Sequence, residues 1–266
     1  MIIIGEKINS TRKATKQAIA DKDVAFLQKL AVDQQAAGAD YLDVNTGAFP
    51  QEEVELMKWL VPVVQEVVQI PLCLDSPNPQ ALQAGLELHK NGKPLINSIT
   101  AEANKFPKII CLVKQYESPV LALAMGDEGR TNTTADRFAV AKKLIQDILA
   151  EGVPPERIYL DPLIQPVSVQ NDFGQIALDT IRLVKSEFPT VHTTCGLSNV
   201  SFGLPRRVQL NRCFLVMALA AGLDSAIVDP LDDELMYMIK ASQALLGQDR
   251  YCRKYIKAFR EAKASS

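Results

Sequence analysis

With 266 residues, the chain can form one large domain or two small ones, and a hydrophobic fraction of 47% is enough to fill a sizeable core. A net charge of −2 gives no basic surplus of the kind that predicts binding to nucleic acid or to an anionic membrane surface. No apolar stretch approaches the roughly 20 residues needed to cross a bilayer, and the apolar run at the N-terminus is too short for a signal peptide.

Cysteine and histidine are too few and too scattered to indicate a disulfide framework or a zinc cluster. The five cysteines are odd in number and include no CxxC pair, which fits reduced thiols in the cytoplasm. The two histidines, His89 and His192, leave little for an HExxH site or a Ser-His-Asp triad. We therefore expect a cytoplasmic protein without a histidine- or cysteine-based metal site.

Eight short, continuous apolar runs recur along the chain, each ending in or near a polar residue. They are Ile2–Gly5, Tyr41–Val44, Pro71–Leu74, Pro94–Ile96, Val120–Met125, Ile158–Leu160, Thr193–Leu197 and Ser225–Val228. Continuous apolar runs, as opposed to alternating ones, are typical of strands that are buried on both faces. The sequence therefore predicts eight buried strands.

The stretches between these runs carry apolar residues at a three-and-four spacing, which predicts helices with one buried face. The pattern is clearest over residues 54–68, 138–148, 177–188 and 210–221. Asn78-Pro79 is typical of a helix start, and Gly222 lies where a helix should end. Pro62 is a misfit, because a proline inside a helix removes a hydrogen bond and predicts a kink.

Eight strand–helix alternations with short connections predict a parallel sheet, and eight units is the number that closes a (β/α)8 TIM barrel of the α/β class. An open, doubly wound sheet is the alternative, and it requires some of the apolar runs to be something other than strands. We assign residues 1–248 to one barrel domain and residues 249–266 to a C-terminal helical extension packed on the barrel.

In such a barrel the active site lies at the C-terminal ends of the strands, and polar residues occur there in every unit. They are Glu6 and Asn9, then Asp43 and Asn45, then Asp75, Asn97, Asp127, Asp161, Asn199 and Asp229. Only Lys7 and Arg207 are nearby candidates to donate to these acids, and a buried carboxylate is costly without a donor. The pattern favours a ligand rich in N–H groups, such as a pterin, whose 2-amino and ring N–H groups can donate two parallel bonds to a carboxylate.

Other interpretations of the same acids stay open at this point. A strand-end aspartate is often a helix N-cap, and for Asp75 before Ser76-Pro77 a cap is as good an explanation as a ligand contact. Asp161, which precedes Pro162, is less typical of a cap. A magnesium site built from the same carboxylates is equally consistent with the pattern.

Five short motifs appear in order at the ends of predicted strands. They are Ile4-Gly5-Glu6-Lys7-Ile8-Asn9, Cys73-Leu74-Asp75-Ser76, Ile96-Asn97-Ser98, Asp161-Pro162-Leu163 and Gly196-Leu197-Ser198-Asn199-Val200-Ser201. With them the chain resembles the pterin-binding methyltransferase family. This family includes the methyltetrahydrofolate:corrinoid/iron–sulfur protein methyltransferases and the folate domain of cobalamin-dependent methionine synthase. The resemblance covers nearly the whole chain, and dihydropteroate synthase shares the pterin site more distantly.

The resemblance implies which residues bind the substrate. The expected set is Glu6, Asn9, Asp75, Asn97, Asp161, Gly196, Ser198, Asn199, Phe202 and Arg207. Within it, Asp75, Asn97 and Asp161 would hold the pterin ring. Asn199 would lie near N5, which carries the methyl group, and would be the catalytic residue, because its hydrogen bond strengthens as charge develops on N5.

The segment after Asn199 would complete the site. Gly196 and Ser198 would line the edge of the pterin, and Arg207, or Arg206 in its place, would approach the aminobenzoate-glutamate tail. Phe202 and the glycine after it resemble the methionine synthase version of this loop.

The activity implied by the resemblance is transfer of a methyl group between N5 of methyltetrahydrofolate and the cobalt of a corrinoid. The barrel accounts for the sequence, so we expect the corrinoid on a partner protein, and the family implies a homodimer. The direction of transfer and the pathway of the partner are open. The alternatives are a dihydropteroate synthase-like enzyme, which would need cations for a pyrophosphate, a non-catalytic folate-binding protein, and a barrel with a metal-dependent activity.

Overall fold

The computed structural model describes residues 1–127 and 131–264, with side chains described as far as residue 260. Within these residues, eight strands and ten α-helices alternate along the chain. The strands are β1 (Ile2–Asn9), β2 (Tyr41–Asn45), β3 (Leu72–Asp75), β4 (Leu95–Ala101), β5 (Val120–Gly126), β6 (Ile158–Asp161), β7 (His192–Thr193) and β8 (Ser225–Val228). The helices are α1 (Lys13–Ala20), α2 (Val24–Ala36), α3 (Glu53–Gln65), α4 (Pro79–Leu88), α5 (Phe106–Gln115), α6 (Thr134–Ala150), α7 (Phe173–Glu187), α8 (Arg207–Ala221), α9 (Asp233–Leu245) and α10 (Arg253–Ala264).

The strands form one parallel sheet that closes into a barrel. The strand order is β7-β6-β5-β4-β3-β2-β1-β8. The two outer strands meet through the segment that follows β7, where the Ile227 amide donates to the Cys195 carbonyl at 2.8 Å and Gly196 pairs with Ile227. The predicted (β/α)8 barrel is confirmed, and the open-sheet alternative is wrong.

Strand β7 is shorter than the sequence predicts. The apolar run extends to Leu197, but the strand covers only His192–Thr193, and the chain then turns into a 3₁₀ helix over Leu197–Ser201. Leu197 is buried in this turn, so its apolar character is satisfied without a strand. The early end of β7 directs the following loop across the mouth of the barrel.

Helix α3 continues through Pro62 to Gln65. Pro62 cannot donate to the carbonyl of Lys58, one turn earlier, but both residues are exposed. The carbonyl that loses its partner therefore lies on the solvent side, where water can replace the missing bond. The helix ends before Val68, although Val68 is still fully buried and continues the apolar stripe.

The main hydrophobic core fills the space between the sheet and the surrounding helices. A second cluster comes from four different strands and therefore lies inside the barrel. Its buried members are Ile4, Cys73, Leu95 and Tyr159. Each lies two residues before a predicted site residue on its strand, and alternate residues of a strand face the same side. This cluster is thus the apolar layer beneath the polar residues at the C-terminal ends of the strands.

The C-terminal helix α10 packs against α9, and Ala258 of α10 is buried. The last two residues of the predicted extension, 265–266, lie outside the described residues, and the boundary at residue 248 stays a prediction. No helix in the described ranges is long and apolar enough to span a bilayer.

Candidate functional site

The register of the first four strands brings polar side chains to one level at the C-terminal edge of the sheet. Asn9 pairs with Asn45, Asn45 with Asp75, and Asp75 with Asn97. The Asn45 amide donates to the Asp75 carboxylate at 2.9 Å. Because paired residues on neighbouring parallel strands lie side by side, these four residues form one continuous wall.

This wall borders a cavity of about 850 Å³ at the mouth of the barrel, a size typical of small-molecule sites. All ten residues of the predicted substrate-binding set line it: Glu6, Asn9, Asp75, Asn97, Asp161, Gly196, Ser198, Asn199, Phe202 and Arg207. Asp43, Asn45 and Asp229 line it as well. Asp127 is used elsewhere, since its carboxylate accepts the Ala103 amide at 2.9 Å. The contact of each lining residue with a substrate stays a prediction.

Three aspartates of the cavity have raised pKa values. Burial raises the pKa of Asp75 to about 6 and that of Asp161 to about 6. Burial, and the neighbouring charge of Asp75, raise the pKa of Asp43 well above its usual range. Ionised carboxylates at these positions are costly, so N–H donors from a ligand would be strongly favoured.

Neither Asp75 nor Asp161 caps a helix. Asn78 is the N-cap of α4, with its side chain accepting the Gln80 amide at 3.0 Å. The cap interpretation of Asp75 is therefore wrong. Asp161 accepts two backbone amides from loops of the site, that of Leu163 at 2.7 Å and that of Gly196 at 3.3 Å. These two bonds fix the carboxylate and leave acceptor capacity on both oxygens.

The 3₁₀ turn after β7 presents Asn199 at the mouth. The backbone N–H of Asn199 donates to the Gly196 carbonyl at 3.2 Å. The side chain of Asn199 is exposed and lies over Gly196, so that a β-carbon at residue 196 would stand 3.1 Å from Asn199 Nδ2. Arg207 holds the turn from α8, donating to the Ser198 carbonyl at 2.6 Å and to the Ser201 hydroxyl at 3.1 Å.

The cations near the site are largely engaged. Lys7, one of the two expected donors, forms an ion pair with Asp229 at 2.6 Å. Arg12 forms an ion pair with Glu6 and also donates to the Glu6 carbonyl at 3.1 Å. Arg207 lines the cavity, whereas Arg206 does not.

Sequence reasoning missed Arg12, Ser98 and Asn211, which also line the cavity. Arg12 lies in the turn between β1 and α1, where no periodic pattern applies. The one local signal is Asn9 three residues earlier, whose side chain accepts the Thr11 amide at 3.0 Å and so folds the turn back over the strand. Asn211 is one turn into α8 and accepts the Ser201 hydroxyl at 2.6 Å.

The described residues contain no group of three or more His, Cys, Asp or Glu side chains placed to hold a metal ion. The magnesium interpretation of the strand-end acids therefore has no supporting ligand cluster in this part of the chain.

Comparison with known proteins gives a family and a fold. A family model described as pterin binding enzyme matches residues 5–229. The methylcorrinoid:tetrahydrofolate methyltransferase of Eubacterium limosum is 40% identical, and the match covers 99% of this chain and 97% of that protein. The methionine synthase of Mycobacterium tuberculosis is 34% identical over 86% of this chain, but the match covers 20% of that protein.

Among solved structures, dihydropteroate synthases have the same fold. The enzyme from Thermus thermophilus has a TM-score of 0.66 at 18% identity, covering 88% of this chain and 92% of that one. The enzyme from Xanthomonas albilineans has a TM-score of 0.69 at 16% identity, covering 94% of this chain and 93% of that one. At these identities the likeness shows the barrel architecture alone.

Proposed function

The chain belongs to the pterin binding enzyme family, and from this we propose that it is a methyltransferase that moves the N5 methyl group between methyltetrahydrofolate and the cobalt of a corrinoid carried by a partner protein. The observation that carries the proposal is the match at 40% identity to a methylcorrinoid:tetrahydrofolate methyltransferase over 97% of that protein. The polar cavity at the barrel mouth supports it.

We propose that Asp75, Asn97 and Asp161 hold the pterin ring. Three observations support this proposal. Asp75 and Asn97 are paired positions on neighbouring strands. Asp161 is buried and Asp75 is partly buried, and both carboxylates retain acceptor capacity. A 2-aminopyrimidinone ring offers adjacent N–H groups, which match a carboxylate with two parallel hydrogen bonds. Glu6 and Asn9 would complete the wall on the β1 side.

We assign the chemical step to Asn199. The N5 methyl group is bound to a neutral tertiary amine, which is a poor leaving group. When the N5–methyl bond breaks, its electron pair stays on nitrogen, so a hydrogen-bond donor at N5 stabilises the transition state more than the ground state. The corrinoid supplies the cobalt nucleophile in one direction and the methyl group in the other. Asn199 lies at the open rim, next to Gly196 and Ser198, where a bound N5 would remain accessible from outside.

The rim of the cavity suits contacts with the glutamate tail of the folate and the approach of the corrinoid. Arg207 is exposed there and is the proposed partner for the carboxylates of the glutamate tail. Phe202 is 65% exposed beside it, with the Arg207 guanidinium 5.8 Å from its ring centre. An open rim lets a large methyl acceptor approach in line with the N5–methyl bond.

We further propose that the protein is a cytoplasmic homodimer. The five cysteines are free thiols, two of them buried and three exposed, as expected in a reducing compartment. Helix α8 exposes Leu210, Val216 and Met217, an apolar surface that a second copy would cover. Light scattering should give the mass of a dimer for the purified wild type and that of a monomer for Met217→Glu. A monomeric wild type would contradict the proposal.

The activity is tested with the purified protein under anaerobic conditions. Methyltetrahydrofolate with cob(I)alamin, and methylcobalamin with tetrahydrofolate, are followed by the corrinoid spectrum. We expect enzyme-dependent conversion that Asp161→Asn strongly reduces. The matched control is Asp179→Asn on α7, whose carboxylate pairs with Arg182 and accepts from Gln175 at the surface, away from the cavity. Folate binding without conversion in either direction would favour a binding protein, and absence of both would reject the proposal.

A further inference from the structure

Arg137 is a fully buried arginine in the first turn of α6. A charged side chain is rarely buried without specific partners, because loss of hydration costs several kcal/mol per ion. Its surroundings therefore indicate what the buried charge does. Helix α6 follows β5, and Arg137 reaches across to the loop that follows β6.

Arg137 binds this loop at two points. One terminal nitrogen donates to the Leu163 carbonyl at 3.0 Å, and the other donates to the Gln165 side chain at 2.6 Å and to the Thr131 carbonyl at 2.8 Å. The guanidinium also lies 5.7 Å from the ring centre of Phe173, the first residue of α7. The planar fork of an arginine can hold several acceptors in fixed directions, which a lysine cannot.

Leu163 connects Arg137 to the cavity. Its N–H donates to the Asp161 carboxylate at 2.7 Å, while its carbonyl accepts from Arg137 at 3.0 Å. Leu163 has a φ of +60°, a left-handed conformation that costs a leucine about 1 kcal/mol or more. Such a conformation persists only where its surroundings hold it, and here Arg137 holds the carbonyl side.

We propose that Arg137 is a positioning residue for the substrate-binding carboxylate of Asp161: through Leu163 it orients this carboxylate, and its positive charge favours the ionised form before the substrate binds. The inference rests on the proposed function, because it takes Asp161 to be a pterin ligand.

The electrostatics agree with this geometry. Burial raises the pKa of Asp161, whereas hydrogen bonds from backbone amides, with Leu163 first, and the charge of Arg137 lower it. The other titratable group influenced by Asp161 is the Cys195 thiol from the segment after β7, and burial raises its pKa, so it stays neutral. Arg137 therefore adds its positive charge to the backbone amides that offset the cost of the ionised carboxylate.

The test is the affinity for methyltetrahydrofolate between pH 5 and pH 8, measured by calorimetry on the full chain. Arg137→Gln should raise the Kd at pH 7 about tenfold and should move the acidic midpoint of binding upward by less than about one pH unit. Arg137→Lys keeps the charge but loses the fork, so it should restore the midpoint while the Kd stays raised. Ile148→Ala, buried on the same helix, is the control for general destabilisation and should change neither.

The outcomes separate the two proposals. A wild type that does not bind methyltetrahydrofolate rejects the proposed function itself. A wild type that binds, together with a folded Arg137→Gln variant of unchanged Kd and midpoint, overturns the role of Arg137. If Arg137→Gln does not fold, Gln165→Ala serves as the second variant, because it removes one contact between the guanidinium and the loop. A Gln165→Ala Kd equal to that of the wild type would then overturn the role of Arg137.

Discussion

Lowering the pH from 7 to 5 should weaken methyltetrahydrofolate binding about a hundredfold. Burial raises the pKa of both Asp75 and Asp161 to about 6. At pH 7 roughly nine-tenths of each carboxyl is ionised, and at pH 5 roughly one-tenth. A protonated carboxyl cannot accept two parallel N–H bonds. If the pterin requires both ionised groups, the competent fraction falls by about tenfold for each of them.

Stability of the ligand-free protein should change in the opposite direction. The pKa of Asp161 in the folded protein lies above its ordinary value of 3.8. Between pH 4 and pH 6 the folded protein therefore binds more protons than the unfolded chain, and its stability falls as the pH rises through this window. The difference between 3.8 and about 6 corresponds to about 3 kcal/mol for this carboxyl. Affinity should rise with pH while the free energy of unfolding falls.

Calorimetric titrations at half-unit pH steps, with urea unfolding at the same pH values, measure both quantities. Glu6 faces the same cavity and its pKa is also raised by burial, although Arg12 opposes the rise. Asp161→Asn separates the contributions, because it should weaken binding at pH 7 and flatten the remaining pH dependence. Asp179→Asn should match the wild type. A Kd that is constant between pH 5 and pH 7 would refute the reasoning.

Three further substitutions have defined expectations. Asn199→Ala should lower the rate of methyl transfer roughly a hundredfold in stopped-flow assays and change the folate Kd much less, whereas equal losses would argue against a role in the chemical step. Gly196→Ala should lower the rate as well, because its methyl group would stand 3.1 Å from Asn199 Nδ2, while Gly174→Ala, whose nearest new contact is at 3.4 Å, should keep it. Gly85→Ala should lower the free energy of unfolding by about 1 kcal/mol, because the new methyl group would stand 3.0 Å from Leu74 and this crowding outweighs the gain in helix propensity. Urea unfolding that shows a more stable variant would contradict this.

The barrel could be predicted because its strands are buried on both faces and therefore leave a strong signal in the sequence. Each of the eight apolar runs overlaps a strand. The extent of β7 could not be predicted, because Leu197 is as apolar and as buried in a 3₁₀ turn as it would be in a strand. The effect of Pro62 was equally hidden, since it depends on which side of α3 faces water.

Some residues of the cavity could likewise be predicted from the sequence, and others could not. Asp75, Asn97 and Asp161 end strands, so the geometry of a parallel barrel fixes their place at the mouth once the strands are known. Arg12 reaches the cavity from a turn and Arg137 acts from behind the β6 loop, and neither position follows from periodicity. The role of a side chain that acts through a loop can be recognised only from the three-dimensional structure.

The distribution of charge favours a folate over a phosphate ester as the ligand of this cavity. The innermost acids, Asp43 and Asp161, are buried and call for N–H donors. The negative charge of these acids would repel an anionic group that entered the deep part of the cavity. Arg207 is exposed at the rim, and in the described part of the chain it forms no ion pair, donating only to Ser198 and Ser201. A folate has an N–H-rich ring at one end and carboxylates at the other, so it matches both ends at once. A pyrophosphate would find Arg12 already paired with Glu6. Among the described residues that line the cavity, it would then depend on Arg207 alone, which argues against the dihydropteroate synthase reaction in this barrel.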